Sequence, residues 1–110
     1  MLKKNMMYLL LFLLLSGCSS GKDLFLNQID QLDQALDEPE WEQIKSQSNE
    51  LKKMYQENKW KLQMLGDEGE YEQLNESINT LIAATKEEDT TSARLELATA
   101  RTLITDIYSI

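Results

Sequence analysis

The chain contains no histidine, one cysteine, one proline and four glycines among its 110 residues. Without histidine it lacks the usual general base near neutral pH and the commonest metal ligand of proteins. One cysteine cannot form an intramolecular disulfide, so a folded domain has to be stabilised by its core alone. The scarcity of glycine and proline in a chain rich in leucine and glutamate favours helices throughout.

Sequence motifs for catalysis are also missing. The chain has no glycine-rich phosphate loop, no serine nucleophile elbow and no zinc-binding pattern. Its carboxylates could in principle act as an acid–base pair in glycan cleavage, but most of them fall on helix faces that we expect to be solvated, where nothing raises a pKa. We therefore expect a protein that is not an enzyme and has no catalytic residues.

Acidic residues cluster at three points, 37–40, 67–70 and 87–89. Calcium binding is one interpretation, but none of the clusters has the alternating Asp/Asn spacing followed by glycine that wraps this ion in a loop. Acids at turns and in first helical turns also interact favourably with the helix macrodipole, which explains the clusters without a ligand. No metal site is predicted.

The N-terminus carries the strongest pattern in the sequence. Lys3 and Lys4 precede an apolar run over residues 6–15, and small residues with the single cysteine follow. This order of charged, apolar and small residues is typical of a secretory signal. Ten apolar residues in a helix reach about 15 Å, roughly half of the hydrocarbon thickness of a bilayer, which is too short for a transmembrane anchor. The two lysines and the Gly-Cys-Ser-Ser-Gly tail also argue against a buried core helix.

The end of the apolar run resembles the lipobox of bacterial lipoproteins at all four positions, Leu15, Ser16, Gly17 and Cys18. The resemblance implies that Leu15, Ser16 and Gly17 direct recognition of a signal peptide over residues 1–17. It also implies that Cys18 carries a covalent diacylglycerol on its sulfur and becomes the first mature residue. Two acyl chains hold a protein durably on a membrane, whereas one gives only reversible binding. Ordinary secretion, with cleavage after Ser19 or Ser20, is the alternative.

Charge and size bound the mature part. Removal of residues 1–17 would leave 93 residues, one small domain, with nine basic and 19 acidic side chains and a formal charge of −10. Such a surface repels nucleic acid and anionic head groups. We expect no nucleic-acid partner, no cofactor beyond the diacylglycerol, and a lipid anchor on the extracytoplasmic face of the cell membrane.

Residues 18–23 are predicted to form the lipidated cysteine and a short tether, followed by a helical domain over residues 24–110. Within that domain, apolar residues recur at spacings of three and four in four stretches, each typical of one buried helix face. The predicted helices span about 24–37, 39–65, 70–86 and 91–108.

Local signals place the ends of these helices. Asp23 can cap the first helix, and Pro39 is predicted to close it and to open the second. Gly66 is well placed as a helix terminator. Either Asp89 or Thr90 can cap the last helix.

Short connections favour neighbouring helices that pack side by side. The fold class is therefore all-α, either an antiparallel four-helix bundle or two tandem helical hairpins. A shift of 49 residues superimposes similar residues of the two halves. Since 49 residues are seven heptads, any two heptad patterns would coincide at this shift, so the similarity does not decide whether the halves arose by duplication. Polar Ser48 and Asn58 interrupt the apolar pattern of the second helix. They either fix the register between helices or lie where the core packing is less dense.

Trp60 and Met64 lie opposite the apolar stripe of the second helix, among charged residues. Tryptophan is over-represented in binding hot spots, so the pair is a candidate partner-binding site. The alternative is that the helix rotates near its end, so that both side chains cover the turn over 66–69 and Tyr71.

From about Leu24 to Tyr108 the chain resembles a family of short, all-helical proteins of unknown function from Gram-positive bacteria, exported or membrane-attached. The similar features are a helix around 29–32, an acidic turn leading into Trp41, the later Trp60 and a Gly-Glu-Tyr entry to the third helix at 69–71. The resemblance implies no activity and no catalytic residues.

Three hypotheses for function follow. The first is a lipid-anchored helical interaction module that presents a bundle surface to another envelope protein. The second is a binding protein for a small apolar or cationic envelope ligand, and the third is a structural spacer without a specific ligand. An exposed apolar patch favours the first, whereas an internal cavity favours the second.

Overall fold

The computed structural model describes residues 21–109. The predicted signal peptide, its recognition residues 15–17 and Cys18 lie outside the described residues. Over the described residues the chain is all-α, with five helices and no strand, which confirms the predicted fold class. The helices are α1 (21–35), α2 (Trp41–Glu57), α3 (Lys59–Leu65), α4 (Glu68–Lys86) and α5 (Thr90–Ile107).

Four long helices form an antiparallel bundle, and the short helix α3 lies at one of its ends. Hydrogen bonds join the long helices in a ring, in the order α1, α2, α4, α5 and back to α1. The two predicted hairpins are therefore halves of one bundle. The contacts that define the ring are Gln28–Gln47, Lys52–Asn75, Ser77–Glu96 and Asp33–Arg94.

The core consists of the apolar stripes predicted from the sequence. Burying one leucine or isoleucine side chain contributes about 1.5–3 kcal/mol relative to leaving it exposed. Ser48 is also buried, and its hydroxyl donates to the backbone carbonyl of Lys45 at 2.9 Å, so its partner lies in its own helix rather than across the seam. The largest fully buried side chains are Phe25, Ile29, Leu32, Ile44, Leu51, Leu62, Leu74, Ile78, Leu81, Leu97, Ile104 and Ile107.

The first two helices begin at other residues than predicted. α1 is already helical at Gly21, so the predicted tether over 18–23 is too long and Asp23 lies inside the helix rather than capping it. The reason is packing, because Gly21 is buried at the end of the bundle. The prediction that Pro39 opens α2 is also wrong. Glu40 takes the extended N-cap conformation, so Pro39 lies in the loop before it.

The predicted helix over 39–65 is interrupted at Asn58, which separates α2 from α3. The Asn58 side-chain amide donates to the backbone carbonyl of Met54 at 2.8 Å. Asparagine side chains compete with the backbone in this way, which makes them poor residues for a helix interior. At the other end of α3, Gly66 is the C-cap, as predicted. α4 then begins two residues earlier than expected, at Glu68, because Asp67 and Glu70 form a capping box with reciprocal hydrogen bonds.

Helix α3 crosses the end of the bundle instead of continuing α2. The Tyr55 hydroxyl donates to the backbone carbonyl of Tyr71, so the end of α2 lies roughly level with the start of α4. A straight continuation would carry the chain about 10 Å beyond that level. The two-residue connection from α3 to α4 spans at most about 11 Å. That is too short to bring the chain back to the start of α4 and also to cover the roughly 8–10 Å between the axes of α2 and α4. α3 therefore turns under the bundle, with Leu62 buried against the core.

The turn between α4 and α5 contains Glu88, whose φ of 54° lies in the left-handed region. Its N–H donates to the Thr85 carbonyl, and the Asp89 N–H donates to that of Ala84, as in a Schellman helix end. Because glycine adopts this φ without a steric cost, we expect Glu88→Gly to raise the free energy of unfolding by about 0.5–1 kcal/mol. Urea denaturation measures the change. The control Glu87→Gly changes a residue in the right-handed helical region and should lower the free energy of unfolding. A higher free energy of unfolding for both variants would contradict the explanation.

The cap of α5 is Asp89, one of the two residues predicted. Its Oδ1 accepts from the Ser92 N–H at 3.0 Å, and its Oδ2 accepts from the Ser92 hydroxyl at 2.7 Å. These hydrogen bonds hold the pKa of Asp89 below its ordinary value of 3.8. Since the folded-state pKa is the lower one, the cap stabilises the fold above a pH of about 4 and is lost as the pH falls through the folded value.

An Asp89→Asn chain should therefore differ from the wild-type chain in a pH-dependent way. Asparagine caps helices but does not titrate. We expect the stability advantage of the wild-type chain at neutral pH to shrink as the pH is lowered below about 4. The midpoints of urea denaturation of both chains across the acid range measure this difference in stability. An advantage that stays constant into the acid transition would show that the Asp89 charge does not stabilise the cap.

Candidate functional site

One end of the bundle brings together the start of α1, the end of α3 and the end of α5. At Gly21, a Cβ atom would lie 2.9 Å from the Tyr108 hydroxyl oxygen, and at Gly66 it would lie 2.9 Å from Cγ1 of Ile107. Both glycines allow these close approaches. We call this end of the molecule the α3 end.

The α3 end is also the end at which the chain that follows Cys18 enters the bundle, because α1 begins there. Only Ser19 and Ser20 lie between Cys18 and Gly21, so three residue steps join Cys18 to a residue that is buried in the bundle. Fully extended, three residues span at most about 11 Å. Any group attached to Cys18 is therefore tethered to the start of α1 by at most that length of chain.

Trp60 and Met64 are exposed on α3. The exposed fractions are 61% for Trp60 and 76% for Met64, whereas Leu62 between them is 0% exposed. Residues two positions away from Leu62 along a helix lie on its opposite side, and Trp60 and Met64 are themselves one turn apart. They form one apolar surface, which we call the α3 pair. The alternative that both side chains cover the turn over 66–69 is wrong, because α3 turns across the bundle and directs them away from it.

Cations accompany the α3 pair. Lys61 Nζ lies 5.7 Å from the centroid of the Trp60 ring, within the range of a cation–π contact. α3 contains a second lysine, Lys59, and no acidic residue. Acidic residues flank the helix at Glu57 and Asp67. The surface of α3 is thus apolar and locally basic in a chain whose formal net charge is −8.

Partly buried polar contacts near α3 connect α2 with α4. The Lys52 ammonium donates to the side-chain carbonyl of Asn75, and burial together with the charge of Lys59 lowers the pKa of Lys52. Burial likewise raises the pKa of Tyr55, whose hydroxyl donates to the Tyr71 carbonyl at 3.2 Å. Each of these groups already has a partner in a neighbouring helix. Their contacts position the α3 end.

A ladder of ion pairs joins the first and last helices, and it was not predicted from the sequence. Arg94 lies 2.9 Å from Asp33 and 2.8 Å from Asp37, and Arg101 lies 2.5 Å from Asp30. The contact with Asp37 holds the pKa of Arg94 above its ordinary value. The missed signal is spacing, because residues 30, 33 and 37 are three and four positions apart and the two arginines are seven apart.

Two of the surface grooves of the described part contain glutamate side chains. The groove between α1 and α2 has a volume of about 420 Å³ and includes Glu38 and Glu40, and the groove between α4 and α5 has a volume of about 310 Å³ and includes Glu76 and Glu96. Both are open and lined mainly by glutamine, glutamate and threonine. Their chemistry suits a cationic or polar molecule better than an apolar one.

Residues 21–109 contain neither a membrane-spanning helix nor a cluster of metal ligands. None of the helices there combines the length and the apolar character needed to cross a bilayer. Nor do three or more acidic, cysteine or histidine side chains in that range come together as metal ligands could.

Comparison with known proteins gives one match. A family model described as a domain of unknown function (DUF4363) matches residues 14–110, which is most of the chain. No curated protein and no solved structure matches it.

Proposed function

This chain belongs to the DUF4363 family, a domain of unknown function, and from that premise we propose that it is a lipid-anchored helical interaction module of the cell envelope. Cys18 would carry the diacylglycerol, and the bundle would stand on the extracytoplasmic face of the membrane. Another envelope protein would bind to its exposed helix faces. Binding, rather than catalysis, would be its role.

The observation that carries this proposal is the short distance between the lipobox-like residues 15–18 and a packed bundle. Since at most about 11 Å of chain separates Cys18 from Gly21, a lipid on Cys18 would keep the whole domain at the membrane surface. A formal charge of −10 on the mature part would not hold it there.

A second candidate function rests on the groove between α1 and α2. Glu38 and Glu40 at its rim would attract a small cationic envelope ligand. Calorimetry with spermidine as the probe distinguishes this candidate, because binding that is lost in Glu38→Gln/Glu40→Gln and retained in Glu76→Gln would assign a ligand to this groove.

The anchor is tested by metabolic labelling with a palmitate analogue. We expect the wild-type chain to be labelled and found with membranes, and Cys18→Ser to lose the label entirely, because the chain has no other cysteine. Ser20→Ala, two residues further on, should keep it. A wild-type chain without label, or one found in the culture fluid, would contradict lipid anchoring.

The interaction role is tested separately. The lipidated chain is captured from detergent-solubilised membranes, and co-purifying proteins are quantified by mass spectrometry. A partner in stoichiometric amount is the expected result. Its absence under several mild detergents, with the label still present, would contradict the interaction module and leave the anchor in place.

A further inference from the structure

We infer that the α3 pair, Trp60 and Met64, inserts into the lipid head-group region of the membrane beside the anchor, so that the bundle rests on the bilayer through α3. This inference rests on the lipid anchor proposed for Cys18 and names the occupant of the exposed apolar surface at the α3 end. The occupant is a lipid surface rather than a protein.

The first argument is position. The described chain starts at Gly21, at the same end of the bundle as α3, and a lipid on Cys18 lies at most about 11 Å from that start. With this anchor, the α3 end is the end of the bundle that is held closest to the bilayer. The pair lies on the side of α3 opposite the buried Leu62, which places it on the outer surface of this end.

The second argument is chemistry. Tryptophan is enriched at membrane–water interfaces, where its ring lies among the head groups. Methionine adds flexible apolar surface. Lys59 and Lys61 are the sequence neighbours of Trp60 on a helix that has no acidic residue, which suits the phosphate layer of a membrane. Glu57 and Asp67 lie at the two ends of α3, so the contact is narrow and is centred on the tryptophan.

The third argument is depth. An amphipathic helix in the plane of a membrane buries its apolar face roughly 5–10 Å into the boundary between head groups and acyl chains. A tryptophan side chain on a helix that crosses the end of the bundle reaches into that layer without moving the long helices. No rearrangement of the core is required, because the pair is already exposed.

The experiment uses the full lipidated chain, extracted from membranes and reconstituted into phosphatidylcholine vesicles, with and without phosphatidylglycerol. Acyl-brominated phosphatidylcholine serves as the quencher. Trp41→Phe leaves Trp60 as the single tryptophan, and Trp60→Phe leaves Trp41. A third chain adds Leu95→Trp to both changes, because Leu95 has an exposed fraction of 64%, similar to that of Trp60, but lies on α5 far from the α3 end.

We expect brominated lipid to remove at least about half of the Trp60 emission, with a blue shift on reconstitution, and to remove less than about a tenth in the other two chains. Quenching in both lipid mixtures supports apolar insertion, and quenching that is stronger with phosphatidylglycerol supports it together with attraction of the two lysines. Similar circular dichroism spectra show that the variants remain folded.

Other outcomes overturn the inference. If the chain floats with the vesicles but Trp60 remains open to aqueous iodide, the anchor is correct and the membrane contact is wrong. If Trp60 is shielded in native membranes but not in protein-free vesicles, a protein covers it instead. If the chain does not float with the vesicles, the lipid anchor itself is wrong, and the inference that depends on it is wrong as well.

Discussion

A Leu62→Ala chain is expected to lose about 2–5 kcal/mol of unfolding free energy, one of the largest effects of any single substitution in the bundle. Leu62 is 0% exposed and is the one fully buried residue of α3. Its side chain joins α3 to the core where the helix crosses the bundle. Truncation leaves a cavity, and the other α3 side chain that packs against the core, Leu65, is only partly buried. Urea denaturation followed by circular dichroism measures the loss.

The matched control is Met64→Ala, two residues further along the same helix. Met64 has an exposed fraction of 76%, so its truncation should change the unfolding free energy by less than about 0.5 kcal/mol. Similar losses for the two substitutions would show that α3 does not cross the bundle end with Leu62 facing inward. Trp60 emission in a Trp41→Phe background would report independently whether α3 detaches.

Replacing Gly66 with alanine is expected to destabilise the fold by about 1–3 kcal/mol. The added Cβ would lie 2.9 Å from Cγ1 of Ile107, and Ile107 is a buried β-branched residue that cannot swing aside. The backbone of Gly66, with φ of −109° and ψ of 168°, is one that alanine adopts readily. The loss would therefore come from overpacking against α5 and not from backbone strain.

Gly69→Ala provides the comparison, since Gly69 lies in the first turn of α4. A Cβ there meets only Asp67 Oδ1, at an ordinary contact distance of 3.4 Å. Alanine is the better helix former, so we expect this substitution to raise the unfolding free energy by up to about 1 kcal/mol. Opposite signs for the two substitutions are the expected result in urea denaturation. A gain at Gly66 would mean that the loop and α5 do not approach as closely as described.

Periodicity alone was enough to predict the core, because each long helix has one buried face and residues such as Ile29 and Leu97 repeat at spacings of three and four. The local cap at Asp89 and the terminator at Gly66 were also predictable, since each depends on a few neighbouring residues. Features set by distant contacts were not. Gly21 begins a packed helix because Tyr108 covers it, and nothing near residue 21 in the sequence indicates that.

The α3 end also combines a feature that the sequence indicates with one that depends on the fold. The sequence identified Trp60 and Met64 as unusual for their helix face, but it could not decide whether they are covered. That depends on the break at Asn58, where a side-chain hydrogen bond to Met54 ends α2. A heptad pattern continues through this break, since Leu62 keeps its place in the stripe. Periodicity therefore predicted one long helix where the chain forms two.

The ion-pair ladder between α1 and α5 has a consequence for the order of assembly. A chain that is made or translocated N-terminus first presents Asp30, Asp33 and Asp37 long before Arg94 and Arg101 follow. Until then the first helix lacks one of its two neighbours and cannot bury its stripe completely. The ring closes only when the last helix arrives, so a nascent chain or one truncated before α5 should remain protease-sensitive along its whole length.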